Sequence, residues 1–160
     1  MPDDTLTLDR GRPVTDAELN RRADWIRLQT IDLIAQAGLG HYSSTFSCAE
    51  IVAALYYRAL RLRPGEPRWA DRDRFLLGKG HVATGLWPVL ADLGFYPRDW
   101  LKQFGKVGSP LNDHPNMKLA RGVDFLSIRP MLQLRYRVAD FAIHPGTHHA
   151  HLVANDFHRH

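Results

Sequence analysis

The chain has 160 residues, carries 21 Lys and Arg against 17 Asp and Glu for a formal charge of +4, and is 44% apolar and 24% charged. This suits one modest domain with a real core and excludes collagen-like, disulfide-stapled and intrinsically disordered classes, since Cys48 is the single cysteine. A reducing, cytoplasmic setting is expected, and no run reaches the ~18 consecutive apolar residues of a membrane span.

Charge is spread along the chain. Residues 1–126 hold 17 basic and 15 acidic side chains, and residues 127–160 hold four Arg against two Asp. Neither part has the clustered single-sign field that nucleic-acid binding requires, so neither nucleic acid nor membrane is an expected partner. The start, Met1-Pro2-Asp3-Asp4, is acidic where a signal peptide would be basic and then apolar.

Residues 1–14 lack a core-forming period and suggest an extended arm. Thr15-Asp16-Ala17-Glu18 has the spacing of a capping box. Behind it Leu19, Ala23, Ile26, Thr30, Leu33, Ile34 and Ala37 recur at steps of three and four, the inward face of a helix that Gly38 and Gly40 end. A second capping box, Ser47-Cys48-Ala49-Glu50, predicts a helix with Ile51, Val52, Leu55 and Ala59 inward and Arg58 outward, closed by Pro64, Gly65 and Pro67.

The apolar run Phe75-Leu76-Leu77, between Asp71-Arg72-Asp73-Arg74 and Gly78, suits a buried strand. A third helix follows from Val82 to Leu93, stopping at Gly94. Pro97 is placed for the first turn of a short fourth helix carrying Trp100, Leu101 and Phe104. From Gly105 to Gly122 there is no period, only loop-forming residues, and loops of this length tend to be functional or mobile. Beyond residue 126 the pattern changes: six of the nine histidines lie between 144 and 160, and residues 131–138 show only a weak strand-like alternation.

The most informative local signal is strand, then Gly78-Lys79-Gly80-His81, then helix. Glycines that allow positive φ and close approach, a helix start with free amides, and the cationic donors Lys79 and His81 together have the physics of a phosphate cradle. The spacing matches neither the P-loop nor the dinucleotide fingerprint, and a plain strand-to-helix turn is an equal alternative. His41, on a Gly-Ser loop between two helices, suits proton transfer or simple capping of a helix end. His114, which Pro115 biases to an extended conformation, reads as a turn or a site residue. Cys48 reads as a small core residue and Trp25, Trp69, Trp87 and Trp100 as packing residues. The His-rich ending offers adventitious metal binding without designed spacing, so no metal ligands are assigned.

Taken in order, these pieces resemble the N-terminal, diphosphate-binding part of transketolases. The resemblance runs from about Arg21 to Asp124. It rests on Gly40-His41 with the following serines, on Ser47 to Tyr56, on Asp71 to His81, on Leu90 to Phe95, and on Gly108-Ser109 leading to His114-Pro115 and Gly122-Val123-Asp124. It implies an α/β fold, here an incomplete thiamine diphosphate-binding fold that is mostly helical with one or a few short parallel strands. It also implies transfer of two-carbon ketol units between sugar phosphates, with thiamine diphosphate and Mg²⁺ or Ca²⁺ as cofactors. By that resemblance His41 and His114 line the substrate channel and move protons, and Lys79, Gly80 and His81 meet the cofactor diphosphate.

Three departures qualify the match. His41-Tyr42-Ser43-Ser44 stands where the family has His-Pro-Gly-Gly, and Gly78 stands where Ser is usual. After Asp124 the chain reads Phe125-Leu126-Ser127-Ile128-Arg129-Pro130 and never reaches the family's Gly-Asp-Gly metal motif. The expected organisation is therefore an arm over 1–14, a partial diphosphate-binding domain over 15–126, and a non-homologous tail over 127–160, disordered or arising from truncation or a frameshift. The isolated chain is expected to be inactive, with a homodimer or a separate C-terminal transketolase subunit as a conceivable partner. The alternatives are a non-catalytic phosphate or anion-binding module, or an inert remnant.

Overall fold

In a computed structural model, which describes residues 13–124, 139–142 and 151–154, the capping box expected at Thr15 closes the start of the first helix. The Thr15 amide donates to Glu18 Oε2 at 2.8 Å and the Glu18 amide donates to Thr15 Oγ1 at 3.3 Å. Helix α1 (Asp16–Ala37) ends at Gly38, whose φ of 67° lets its amide reach the Ile34 carbonyl. Leu19, Ala23, Ile26, Thr30, Leu33 and Ile34 are buried as their spacing predicts, and Ala37 is half-buried against the core.

Two further residues of α1 are buried: Arg22 and Trp25. The Arg22 guanidinium lies 4.6 Å from the centroid of the Tyr57 ring and donates to Asp92 Oδ2 at 2.9 Å. Tyr57 Oη donates to the same oxygen at 2.9 Å. A buried charge is tolerated only when paired and hydrogen-bonded, and this carboxylate is what makes Arg22 an interior residue.

The second capping box does not form. A short helix α2 (Tyr42–Phe46) precedes it, so Ser47 serves as the C-cap of α2 and its hydroxyl donates back to the Ser44 carbonyl at 2.9 Å. Cys48 becomes the N-cap of α3 (Ala49–Ala54) without a side-chain bond, and Glu50 pairs with Arg27 of α1. Helix α3 then widens into a π turn over Leu55–Ala59, which shifts the inward face. Tyr56 and Tyr57 are buried there, Leu55 is half-buried, Arg58 is exposed as expected, and Ala59, predicted inward, is exposed.

Strand β1 (Phe75–Leu76) is buried on both faces and pairs parallel with β2 (Ala139–Ala142). Strand β3 (His151–Ala154) adds an antiparallel edge, with Asp140 opposite Val153. The alternation noted over 131–138 lies outside the described residues, as do residues 1–12 of the expected arm and the His-rich stretches 144–150 and 155–160.

Helix α4 (Ala83–Asp92) follows β1 through a single 3₁₀ turn, Gly80–Val82. Every residue from Ala83 to Ala91 is buried, as a helix that is apolar all round must be, and α1, α2 and α3 pack against it. The approach to α2 depends on a missing side chain: a Cβ on Gly85 would overlap Thr45 Cγ2. Beside it the Thr45 and Thr84 hydroxyls share a buried hydrogen bond of 2.9 Å. The predicted fourth helix is a 3₁₀ segment (Arg98–Gln103) with Pro97 as its N-cap, and Trp100 stacks on Tyr96 with ring centroids 5.3 Å apart.

Candidate functional site

His41 is the N-cap of α2, and its position follows from Gly40. That glycine has φ of 124°, and a Cβ there would lie 2.7 Å from Ile34 Cγ1 and 2.8 Å from Thr84 Cγ2. The chain therefore passes between α1 and α4 in a space that only glycine fits. His41 occupies the capping position without a side-chain capping bond to α2.

His81 is half-buried in the 3₁₀ turn that leads into α4. His114 comes from the long loop after residue 105, which holds turns, bends and a single bridge residue, Asn116, and is firmly anchored. Ser109 Oγ donates to the Leu111 carbonyl at 3.2 Å and accepts from the Leu111 amide at 3.1 Å. Asn112 Nδ2 donates to the Ser109 carbonyl at 3.1 Å, and Leu111 and Pro115 are fully buried.

These three segments bring their imidazoles together. The His41 and His81 rings meet edge to face with centroids 4.5 Å apart, and His81 and His114 meet likewise at 4.9 Å. His41 and His114 are exposed and His81 lies between them.

Sequence reasoning missed one member of the cluster, Asp113. Its Oδ2 lies 3.5 Å from Nδ1 of His41 and 3.9 Å from Nδ1 of His114, and its Oδ1 is buried without a hydrogen-bond partner. Its position immediately before His114 was the only available signal, and nothing local shows that its carboxylate meets His41.

Lys79, the N-cap of the 3₁₀ turn, is exposed. The expected positive φ at Gly78 and Gly80 is not found: both have ordinary backbone angles, Gly80 is buried, and a Cβ on Gly78 would meet nothing within 4 Å. The turn is made without left-handed residues because Gly80 already belongs to the 3₁₀ helix. Cys48 is a core residue as expected, with burial pushing its thiol up to about 11 against a smaller lowering effect from Lys79.

Arg72 and Asp124 join the strand-bearing segment to the end of the loop. The buried Asp124 carboxylate accepts from Arg72 Nη1 at 2.9 Å, also from its Nη2, and from Arg74 Nη1 at 3.3 Å. Among the described residues, no three His, Cys, Asp or Glu side chains group so as to hold a metal ion. No helix of the described residues is long and apolar enough to cross a membrane.

Residues 19–143 match the family model described as transketolase, thiamine diphosphate binding domain. A 6-deoxy-6-sulfo-D-fructose transketolase subunit from Clostridium sp. (strain MSTE9) is 36% identical over 107 residues, covering 67% of this chain and 39% of the relative. The transketolase of Pongo abelii is 39% identical over 102 residues, covering 64% of this chain and 16% of that protein. The crystal structure of Campylobacter jejuni transketolase superposes with a TM-score of 0.63 at 28% identity, covering 69% of this chain and 17% of its own. The chain thus spans well under half the length of these relatives. With the family model matching most of its length, the chain belongs to the family of the transketolase thiamine diphosphate-binding domain.

Proposed function

We propose that this chain supplies the histidine-lined, diphosphate-facing part of a transketolase that moves two-carbon ketol units between sugar phosphates. One observation carries the reading: His41, His81 and His114, far apart in sequence, pack ring against ring.

The donor set suits the anionic end of thiamine diphosphate. Imidazole N–H groups and the exposed Lys79 ammonium at the head of α4 are cationic or neutral donors, and the start of a helix favours phosphate. The same set does not suit a hard divalent cation. Mg²⁺ and Ca²⁺ take oxygen ligands, and the described residues hold no such group, so the proposal assigns the ion no ligands among them.

When bound, thiamine diphosphate supplies the nucleophilic carbon of ketol transfer. The chain's own part is to hold and orient. Lys79, Gly80 and His81 bind the diphosphate. His41 and His114 take hydroxyl protons from the sugar and return them, which imidazole does well near neutral pH.

The short span relative to known transketolases supports a requirement for further polypeptide, either a second copy or a separate C-terminal subunit; the sulfofructose relative is itself named a subunit. The buried, unpaired Cys48 supports a reducing, cytoplasmic setting.

Calorimetric titration of the full chain with thiamine diphosphate, with and without Mg²⁺, tests the reading. Binding of thiamine diphosphate that His81→Ala weakens at least tenfold is expected. Equal binding of inorganic phosphate without metal would favour the anion-binding module, and no binding of either would favour the inert remnant.

A further inference from the structure

The loop that delivers His114 also delivers a carboxylate whose placement local folding does not explain. Asp113 Oδ1 is buried and accepts no hydrogen bond. A buried acceptor without a donor costs stability, so an aspartate here is not a choice made for the loop alone. Its other oxygen faces two imidazoles: Nδ1 of His41 at 3.5 Å and Nδ1 of His114 at 3.9 Å. Both contacts are made through the same ring atom. The central ring, His81, makes no ion pair with a carboxylate among the described residues and touches its neighbours edge to face.

We infer that Asp113 is a positioning residue that fixes the proton of neutral His41 and His114 on Nδ1 and leaves Nε2 of both rings as the acceptor. An ionised carboxylate only accepts hydrogen bonds, and a neutral imidazole has one N–H, so the ring atom that faces the carboxylate is the one that carries the proton. The separations of 3.5 and 3.9 Å exceed an ordinary hydrogen bond, so the carboxylate acts on both rings chiefly through its charge, which favours a proton on the nearer nitrogen. That the two Nε2 atoms then act as proton acceptors toward substrate rests on the proposed transketolase reading; the tautomer does not.

The test is a long-range ¹H–¹⁵N correlation spectrum of the full chain, labelled at histidine and recorded at rising pH until the ring ¹⁵N signals stop moving. Signals are assigned with His41→Gln and His114→Gln. The expected result is the Nδ1–H pattern for His41 and His114. In Asp113→Ala both should return to the Nε2–H form that free histidine favours, with His81 and the amide spectrum unchanged. Wild-type rings already in the Nε2–H form would overturn the inference without need of any variant. Tautomers that survive Asp113→Ala would do the same. No ligand is added, so a failed thiamine diphosphate titration and a failed tautomer assignment are separate results.

Discussion

The Trp87 indole Nε1 donates a 2.9 Å hydrogen bond to the main-chain carbonyl of Asn112, tying the most buried helix of the protein to the loop that presents His114. The ring is fully buried and Asn112 half-buried, so the bond lies at the edge of the core. Trp87→Phe keeps much of the packing but leaves that carbonyl without a donor. It should cost about 1–3 kcal/mol in urea unfolding. Proton–proton contacts between the His81 and His114 rings should weaken with it; a variant that loses stability yet keeps those contacts would show that Pro115 and Leu111 anchor the loop unaided.

Two glycines near the site should respond in opposite ways to alanine. Gly85→Ala drives a methyl into Thr45 and must push α2 from α4, at a cost of about 1–3 kcal/mol. Gly78→Ala meets open space and should change stability by no more than ~0.5 kcal/mol. Thermal unfolding of both variants checks the contrast.

Cys48 should be inert in the folded protein. Its thiol is buried and ionises at about 11 rather than 9.0, so iodoacetamide should label it only after unfolding in urea. The same shift sets a pH dependence. Because the folded state holds the proton more tightly, this contribution to stability is complete below pH 9.0 and is lost as pH rises to about 11. Burial raises the Tyr56 and Tyr57 phenols as well, adding to alkaline destabilisation. Cys48→Ala should flatten the stability slope in that window; an unchanged slope would assign it to the tyrosines alone.

Asp124 balances the buried Arg72 guanidinium and meets Arg74 too. Asp124→Ala should therefore cost about 3–5 kcal/mol, the range for a buried ion pair that loses one partner. Asp124→Asn keeps one acceptor oxygen for the guanidinium but replaces the other with an amide donor, and should fall between that variant and the wild type. Urea midpoints for the three proteins give the ranking.

Local signals made much of this fold readable in the sequence. The Thr15 capping box, the inward stripe of α1 and the run from strand through Gly78-Lys79-Gly80-His81 into α4 all depend on neighbours within a turn or two, and each is found where expected. The failures have a common cause in competition or distance. Ser47 has the capping spacing, but the preceding short helix uses its hydroxyl first. Ala59 has the inward spacing, but the π turn changes the helical count before it. Arg22 looks like a solvent residue until Asp92 arrives from another helix. The same holds at the site: the three histidines could be gathered by their family order, whereas Asp113 gains its meaning only when the loop folds back onto α2.

All three imidazoles take their bearings from one rod. His81 stands at the head of α4, Gly40 threads His41 past Thr84, and Trp87 moors the segment that carries His114. A substitution on the buried face of that rod should therefore reach the whole trio, whereas one in either flanking loop should disturb a single ring.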